Sequence, residues 1–230
     1  MFLNIKRLKI ESDSKVLVNF GFEINTLTAL VGESGSGKSL TIKAILGLLP
    51  SNLNVVFEYE SNFEVELHNI AFIPQNPFTA LSPLTKIKDQ FFCTKHDQIQ
   101  YLEAVGMEAD VIEKFPSQLS GGQLQRILVA MAISKNPKII LLDEPTTALD
   151  TTNKENIINL ISKIQAIHKC IVLFVTHDIL SIEHICEFVA VIQNGKLEEF
   201  GKTKEILNNP KKDYTKKLLQ SNFKNRSFRA

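Results

Sequence analysis

The stretch Gly32-Glu33-Ser34-Gly35-Ser36-Gly37-Lys38-Ser39 constrains this chain more than any other. So many glycines and serines in a row suit no regular element. The apolar run Thr26–Val31 enters the loop, and Lys38–Leu49, closed by Pro50, leaves it with helical character. A strand, a loop of G-x-x-x-x-G-K-S spacing and a helix form a unit that wraps phosphate. Glycines let backbone N–H groups turn inward around phosphate oxygens, and the helix turns its positive end to the same anion. Lys38 is then placed to neutralise the β- and γ-phosphates of ATP, and the Ser39 hydroxyl to ligate Mg²⁺.

The rest of the pattern supplies the frame. Val16–Ile24 alternates as a strand, and 55–67 reads as one or two exposed strands. Ala71–Ile73 is a short strand closed by Pro74. From Gln75 to Leu119 helix-like segments are broken by Pro77, Pro83 and Pro116. Gly121–Ser134 is expected to be helical, with Leu124, Leu128, Met131 and Ala132 on one face. Ile139–Leu142 and Ile171–Val175 read as buried strands. Asn153–His168 reads as an amphipathic helix facing inward with Ile157, Leu160, Ile161, Ile164 and Ile167. Asp178–Cys186 is expected to be a helix. Phe188–Ile192 and Lys196–Phe200 read as a hairpin around Asn194-Gly195. Strands alternating with helices predict an α/β fold with a mainly parallel sheet covered on both faces. A small antiparallel layer and an inserted α-helical subdomain complete it. One domain is expected: a nucleotide-binding core over 1–75 and 120–205, a helical insert over 76–119, and a basic tail over 206–230.

Two further motifs carry chemistry. Ile139-Ile140-Leu141-Leu142-Asp143-Glu144 is an aliphatic strand ending in two carboxylates, at the strand end where ligands of open α/β sheets gather. After a phosphate loop at this separation, Asp143 is expected to hold Mg²⁺ and Glu144 to act as general base on water. Leu119-Ser120-Gly121-Gly122-Gln123 is a second anion-binding helix start. A serine-capped helix would explain Ser120, but glycine costs about 1 kcal/mol in a helix, so close backbone approach to a ligand explains the glycines better.

Bulk properties exclude other classes. Hydrophobic residues at 44% and charged residues at 22% rule out disorder and collagen-like structure. A net charge of +1 gives no field for nucleic acid. Lys202–Ala230 is locally basic, with nine Lys or Arg against two Asp or Glu, and reads as a solvated tail; contact with anionic lipid is the lesser reading. Cys93, Cys170 and Cys186 are scattered, which fits a reducing compartment and no zinc site. Lys6, Arg7, Lys9 and Glu11 sit where a signal peptide would need its apolar stretch, and no run reaches the roughly 20 apolar residues of a membrane span.

Taken in order, GESGSGKS, Gln75, LSGGQ, ILLDEP, Ala148-Leu149-Asp150 and His177 resemble the ATP-binding cassette (ABC) family, whose own signature is LSGGQ. The resemblance runs from about Leu3 to about Gly201 and implies a P-loop NTPase (RecA-like) core. It implies that Gln75 meets Mg²⁺ and water, that Asp150 lies at a dimer seam, and that His177 contacts the γ-phosphate. Gly32 to Leu40, Ser120, Gly121, Gly122, Gln123 and Asp150 would line a nucleotide shared by two cassettes meeting head to tail. Gln75-Asn76-Pro77, Leu46-Gly47-Leu48-Leu49-Pro50 and the ending Pro210 to Leu219 are similar to the peptide and nickel importers. Gly37-Lys38-Ser39-Leu40-Thr41 is most like the nickel importers' first ATPase subunit.

The implied protein is an ATPase of a nickel or di/oligopeptide importer. It would be peripheral on the cytoplasmic face of the inner membrane and act through separate permeases, with a solute-binding protein outside. Importers of this group commonly pair two different ATPase chains, so a heterodimer is expected over a homodimer. A chromosome-acting relative would need long coiled coils and a ribosome-acting one two cassettes; a scaffold that does not hydrolyse would not need Glu144 and His177. Ser12 stands where the family usually has an adenine-stacking ring, so poor discrimination between ATP and GTP is expected. The short 50–71 segment implies a reduced antiparallel layer.

Overall fold

The structure, a computed structural model, describes residues 1–147 and 149–227; Ala148 and residues 228–230 lie outside the described residues. In chain order the strands are β1 (Leu3–Ser12), β2 (Lys15–Ile24), β3 (Leu27–Val31), β4 (Asn54–Ser61), β5 (Ile70–Ile73), β6 (Ile139–Asp143), β7 (Ile171–Thr176), β8 (Phe188–Gln193) and β9 (Lys196–Lys202). The helices are α1 (Lys38–Ile45), α2 (Pro77–Ala80), α3 (Lys95–Ala104), α4 (Gly121–Ser134), α5 (Thr151–His168), α6 (Thr203–Asn208) and α7 (Asp213–Ser227), with short 3₁₀ turns between. The contacts gather into two compact units, 1–66 with 171–230, and 67–170.

In the first unit β3 lies between β7 and β8, parallel to both, and β9 closes the edge antiparallel. Leu27, Ala29, Leu30 and Val31 are buried, as are all six residues of β7. Such unbroken burial is what a parallel sheet covered on both faces requires. A separate antiparallel sheet has the order β2-β1-β4. It holds three strands, with one strand drawn from 55–67, in keeping with a reduced layer. β1 buries Leu3 and Ile5 and then Leu8 and Ile10, and its register slips between Ile5 and Leu8. This bulge breaks the period-two pattern, so β1 does not read as a strand from alternation alone. Gly21 faces it: a side chain there would run into the backbone carbonyls of Ile5 and Lys6.

The second unit pairs β5 with β6 in parallel, and α4 packs against α2, α3, α5 and β5. α4 buries Leu124, Ile127, Leu128, Val129, Ala130, Ala132 and Ile133, so it is covered on most sides; Met131, expected inside, is half-buried. α5 buries Ile157, Ile158, Ile161 and Ile164, whereas Ile167, expected on the same face, is 74% exposed in the last turn. Between Gln75 and Leu119 only α2 and α3 are α-helices; Ile87–Gln90, Ala109–Glu113 and Pro116–Gln118 are 3₁₀ turns.

Three local expectations need correction. α1 ends at Ile45 rather than Leu49, because Gly47 takes φ 67° and its N–H and that of Leu48 close on the carbonyls of Ala44 and Lys43. Asp178–Cys186 is not a helix: Asp178 caps a single 3₁₀ turn, Ile179–Ile182. The basic C-terminal segment is not simply solvated, since α7 buries Thr215, Leu218 and Leu219.

Candidate functional site

The first unit carries the phosphate loop. β3 ends at Val31 and α1 starts at Lys38, with Gly35 and Gly37 at φ 79° and 110°. α1 has no side-chain cap at Gly37, so its first amides are not answered by a capping side chain. The glycines are also needed for room: a side chain on Gly32 would meet the Ile192 carbonyl and one on Gly37 would lie 2.9 Å from Val18 Cγ2. Lys38 is 6% exposed, and its Nζ donates to the carbonyls of Gly32 at 2.7 Å and Glu33 at 2.9 Å. The buried Ser36 hydroxyl has no hydrogen-bond partner inside the loop. A buried ammonium and an unanswered buried hydroxyl suit a loop built around an anion. Ser39 and Leu40 follow in the first turn of α1.

Register places His177. Val31 pairs with Thr176 in the β3–β7 ladder, so Gly32 and His177 leave adjacent strands side by side. His177 is exposed there, and Thr176 Oγ1 accepts from the Asp178 N–H at 3.0 Å to turn the chain. Ser12 ends β1 before a turn at Asp13 and Ser14, both at positive φ.

The second unit gathers the remaining predicted residues. Ile73 pairs with Leu142, so Gln75 and Glu144, each two residues on, emerge together. Gln75 Nε2 donates to Glu144 Oε2 at 3.4 Å, and Thr147 Oγ1 donates to the same oxygen at 3.0 Å. Glu144 itself takes φ 46°, uncommon for a residue with a Cβ. Asp143, half-buried, closes β6. Ser120 caps α4: its Oγ accepts from Gln123 N–H at 3.3 Å while Gln123 Oε1 accepts from Ser120 N–H at 2.9 Å. This reciprocal box gives Ser120 and Gln123 a structural role that the sequence reading undervalued, although S-x-x-Q announces it. Asp150 caps α5 and holds Asn153 through its backbone N–H at 3.0 Å and its side-chain amide at 2.6 Å. A side chain on Gly122 would lie 3.3 Å from Asn153, and one on Gly121 3.6 Å from the Phe78 ring. Packing therefore crowds Gly122 alone of the two, since 3.6 Å at Gly121 is ordinary contact. Ala148, quoted with Leu149 and Asp150, lies outside the described residues.

Sequence reasoning missed three supports of the loop and the carboxylate. Gly195 N–H donates to Ser36 O at 2.9 Å, Tyr214 Oη accepts from Glu33 N–H at 3.1 Å, and Thr147 holds Glu144. The Gly195 and Tyr214 contacts are long-range and carry no local signal; Thr147 has one, at three residues' distance, in a strand-end turn.

These features define a nucleoside-triphosphate-binding α/β protein of the phosphate-loop class. The profile of the ABC transporter family matches residues 17–147, and the chain belongs to that family. It is 38% identical over 221 residues to the oligopeptide transport ATP-binding protein OppD of Lactococcus lactis, covering 84% of this chain and 65% of that protein. It is 33% identical to the metal-staphylopine import system ATP-binding protein CntD of Staphylococcus aureus, covering 89% of this chain and 85% of that one. The dipeptide transport ATP-binding protein DppD of Caldanaerobacter subterraneus is 34% identical over 86% of this chain and 69% of its own. The chain thus spans about two thirds of the length of several such relatives. Among solved structures, cbiO1 of Clostridium perfringens, part of an ABC transporter complex, superposes with a TM-score of 0.75 at 23% identity over 90% of both chains. An ATP-binding subunit of an ABC transporter gives 0.73 at 20% identity, covering 90% of this chain and 92% of its own. These two speak to the fold.

Proposed function

We propose that this chain is the ATP-hydrolysing subunit of an ABC importer for peptides or chelated or free nickel-like metal ions, acting through separate membrane permeases. The observation that carries the reading is the buried Lys38 ammonium in a glycine-rich loop that also buries the Ser36 hydroxyl without a hydrogen-bond partner. The importer branch is supported by the relatives' names, which cover oligopeptide, dipeptide and metal-staphylopine import.

In this reading Gly32 to Leu40 bind the triphosphate, with the Lys38 ammonium on the β- and γ-phosphates. The available donors suit Mg²⁺: the Ser39 hydroxyl, the Asp143 carboxylate and the Gln75 amide oxygen are hard oxygen ligands. Bound there, Mg²⁺ would neutralise charge on the phosphates. Glu144 takes a proton from the attacking water, and Thr147 and Gln75 hold its carboxylate in place. His177 faces the γ-phosphate from the end of β7. Ser120, Gly121, Gly122 and Gln123 complete the nucleotide of a second cassette, and Asp150 lies at the seam. The core and the 76–119 insert would serve binding and coupling respectively.

Among the described residues no helix is long and apolar enough to cross a membrane. In this reading the chain sits peripherally on the cytoplasmic face, held by permeases, beside a second and different ATPase chain. A solute-binding protein would deliver cargo from outside, and nucleic acid has no part. Co-purification from membranes tests this. Permease chains should come down with it, and their reconstituted complex should hydrolyse Mg·ATP faster when its solute-binding protein carries a peptide or metal chelate. Material that binds Mg·ATP but associates with no membrane protein would refute the importer reading.

A further inference from the structure

The Gly32–Glu33 peptide plane is held from both sides. Its carbonyl accepts from Lys38 Nζ at 2.7 Å, and its N–H donates to the Tyr214 hydroxyl at 3.1 Å. The two groups of a trans peptide point opposite ways, so the phenol and the ammonium grip one plane between them. Tyr214 is 181 residues from Glu33 and stands in the first turn of α7. That helix is itself anchored. Glu199 accepts from the N–H groups of Lys211 and Lys212 at 2.9 and 3.1 Å, and α7 packs on β9 and on the turn Ile179–Ile182 just after His177. Burial pushes the Tyr214 phenol above its ordinary pKa, so its oxygen stays protonated and neutral near pH 7.

We propose that Tyr214 is a positioning residue for the phosphate loop: by accepting the Glu33 N–H it fixes the plane on which Lys38 rests, and so couples triphosphate affinity to the docking of α7. The proposal rests on the reading of this loop as the nucleotide site. A loop whose Lys38 is already held pays less ordering entropy when the phosphates arrive. Releasing the plane lets both the peptide and the ammonium wander. Whatever moves α7, such as a partner seated on the C-terminal segment, would then change nucleotide affinity at a distance through this one contact.

The test uses the full chain. Tyr214→Phe keeps the ring and removes the acceptor. Its affinity for Mg·ATP is expected to fall about three- to tenfold, the range of one ordinary hydrogen bond. Its melting temperature should stay within about 2 °C of the parent's, since the packed ring remains. In the transporter complex KM for ATP should rise while kcat changes little. A second measurement needs no variant at position 214. The chain has three tyrosines, Tyr59, Tyr101 and Tyr214, so 3-fluorotyrosine gives three fluorine signals, two of them assigned through Tyr59→Phe and Tyr101→Phe. The remaining signal is expected to shift on adding Mg·ATP and to stay still on adding adenosine, which has no phosphates.

If the parent chain binds no Mg·ATP, the reading of the loop falls. If it binds and Tyr214→Phe binds equally well, or the third signal ignores Mg·ATP at saturation, the coupling is overturned. A fall in kcat as large as the rise in KM, together with a lowered melting temperature, would make Tyr214 a packing residue only and also sink the proposal.

Discussion

Glu144 stands just past β6 with φ 46°, a conformation that costs a residue with a Cβ of order 1 kcal/mol. Thr147 and Gln75 meet its carboxylate there, so the strained turn aims the oxygens in one direction. Strain of this kind persists where neighbours over-determine it. Under the proposed role, Glu144→Gln keeps the shape and removes the base. Turnover should drop at least about 10²-fold and an ATP-bound pair should accumulate, seen as an early-eluting species on gel filtration with Mg·ATP. Unchanged turnover would take the base role from Glu144. At this scale the sequence was most legible: Gln75 and Glu144, and likewise Gly32 and His177, were named from motifs, and strand register brings each pair together. Ser120 and Gln123 were read as a ligand-binding start; the structure shows a capping box there, and a cap uses only some of a helix's first amides. Tyr214 was seen only as part of a resemblance in the tail, because a contact spanning 181 residues leaves no periodicity to read.

At the scale of elements, the strands β3, β6 and β7 were read from unbroken aliphatic runs, and burial on both faces is why that signal is clean. The hairpin around Asn194-Gly195 was equally plain, since φ 48° and 73° demand those residue types. The bulge in β1 breaks its alternation, and the 178–186 segment looked helical because its apolar residues do face inward, from a turn too short to be a helix. α7 shows how a basic segment escapes a solvated reading: Asp213, Lys216 and Lys217 are exposed while Thr215, Leu218 and Leu219 dock. Glu199 ties the start of that helix down. Burial pushes its carboxyl up, but hydrogen bonds, including those from the Lys211 and Lys212 N–H groups, outweigh it and hold it below its ordinary value. The sign follows from this lowered value. The contribution is present above the ordinary Glu pKa and is lost as pH falls through the lower folded value. Amide exchange in α7 is therefore expected to accelerate below about pH 4.5 in the parent chain. In Glu199→Gln that pH step should vanish. A step of equal size in both would assign the acid sensitivity of α7 to another group.

For the whole molecule, the proposed function turns on two helix starts: α1 follows the glycine loop at Lys38, and α4 follows Ser120. In a head-to-tail pair they belong to different nucleotides. This arrangement predicts a count of bound nucleotides rather than a rate. Take this chain with the second ATPase chain of the proposed pair, with the base carboxylates of both changed to amides so that ATP stays trapped. The pair should hold two ATP. Lys38→Ala in this chain removes the charge that grips its own ATP. Ser120→Arg in this chain instead blocks the companion's ATP; it also loses a cap worth about 1 kcal/mol, which the buried face of α4 tolerates. Each change alone should leave one ATP. Both together in this chain should leave none, because each strikes a different site. Were the signature to serve the same nucleotide as the loop of its own chain, the double change would add nothing and one ATP would remain on the companion. Measuring trapped nucleotide by release and chromatography separates the two, and one ATP in the double variant would rule out the shared site.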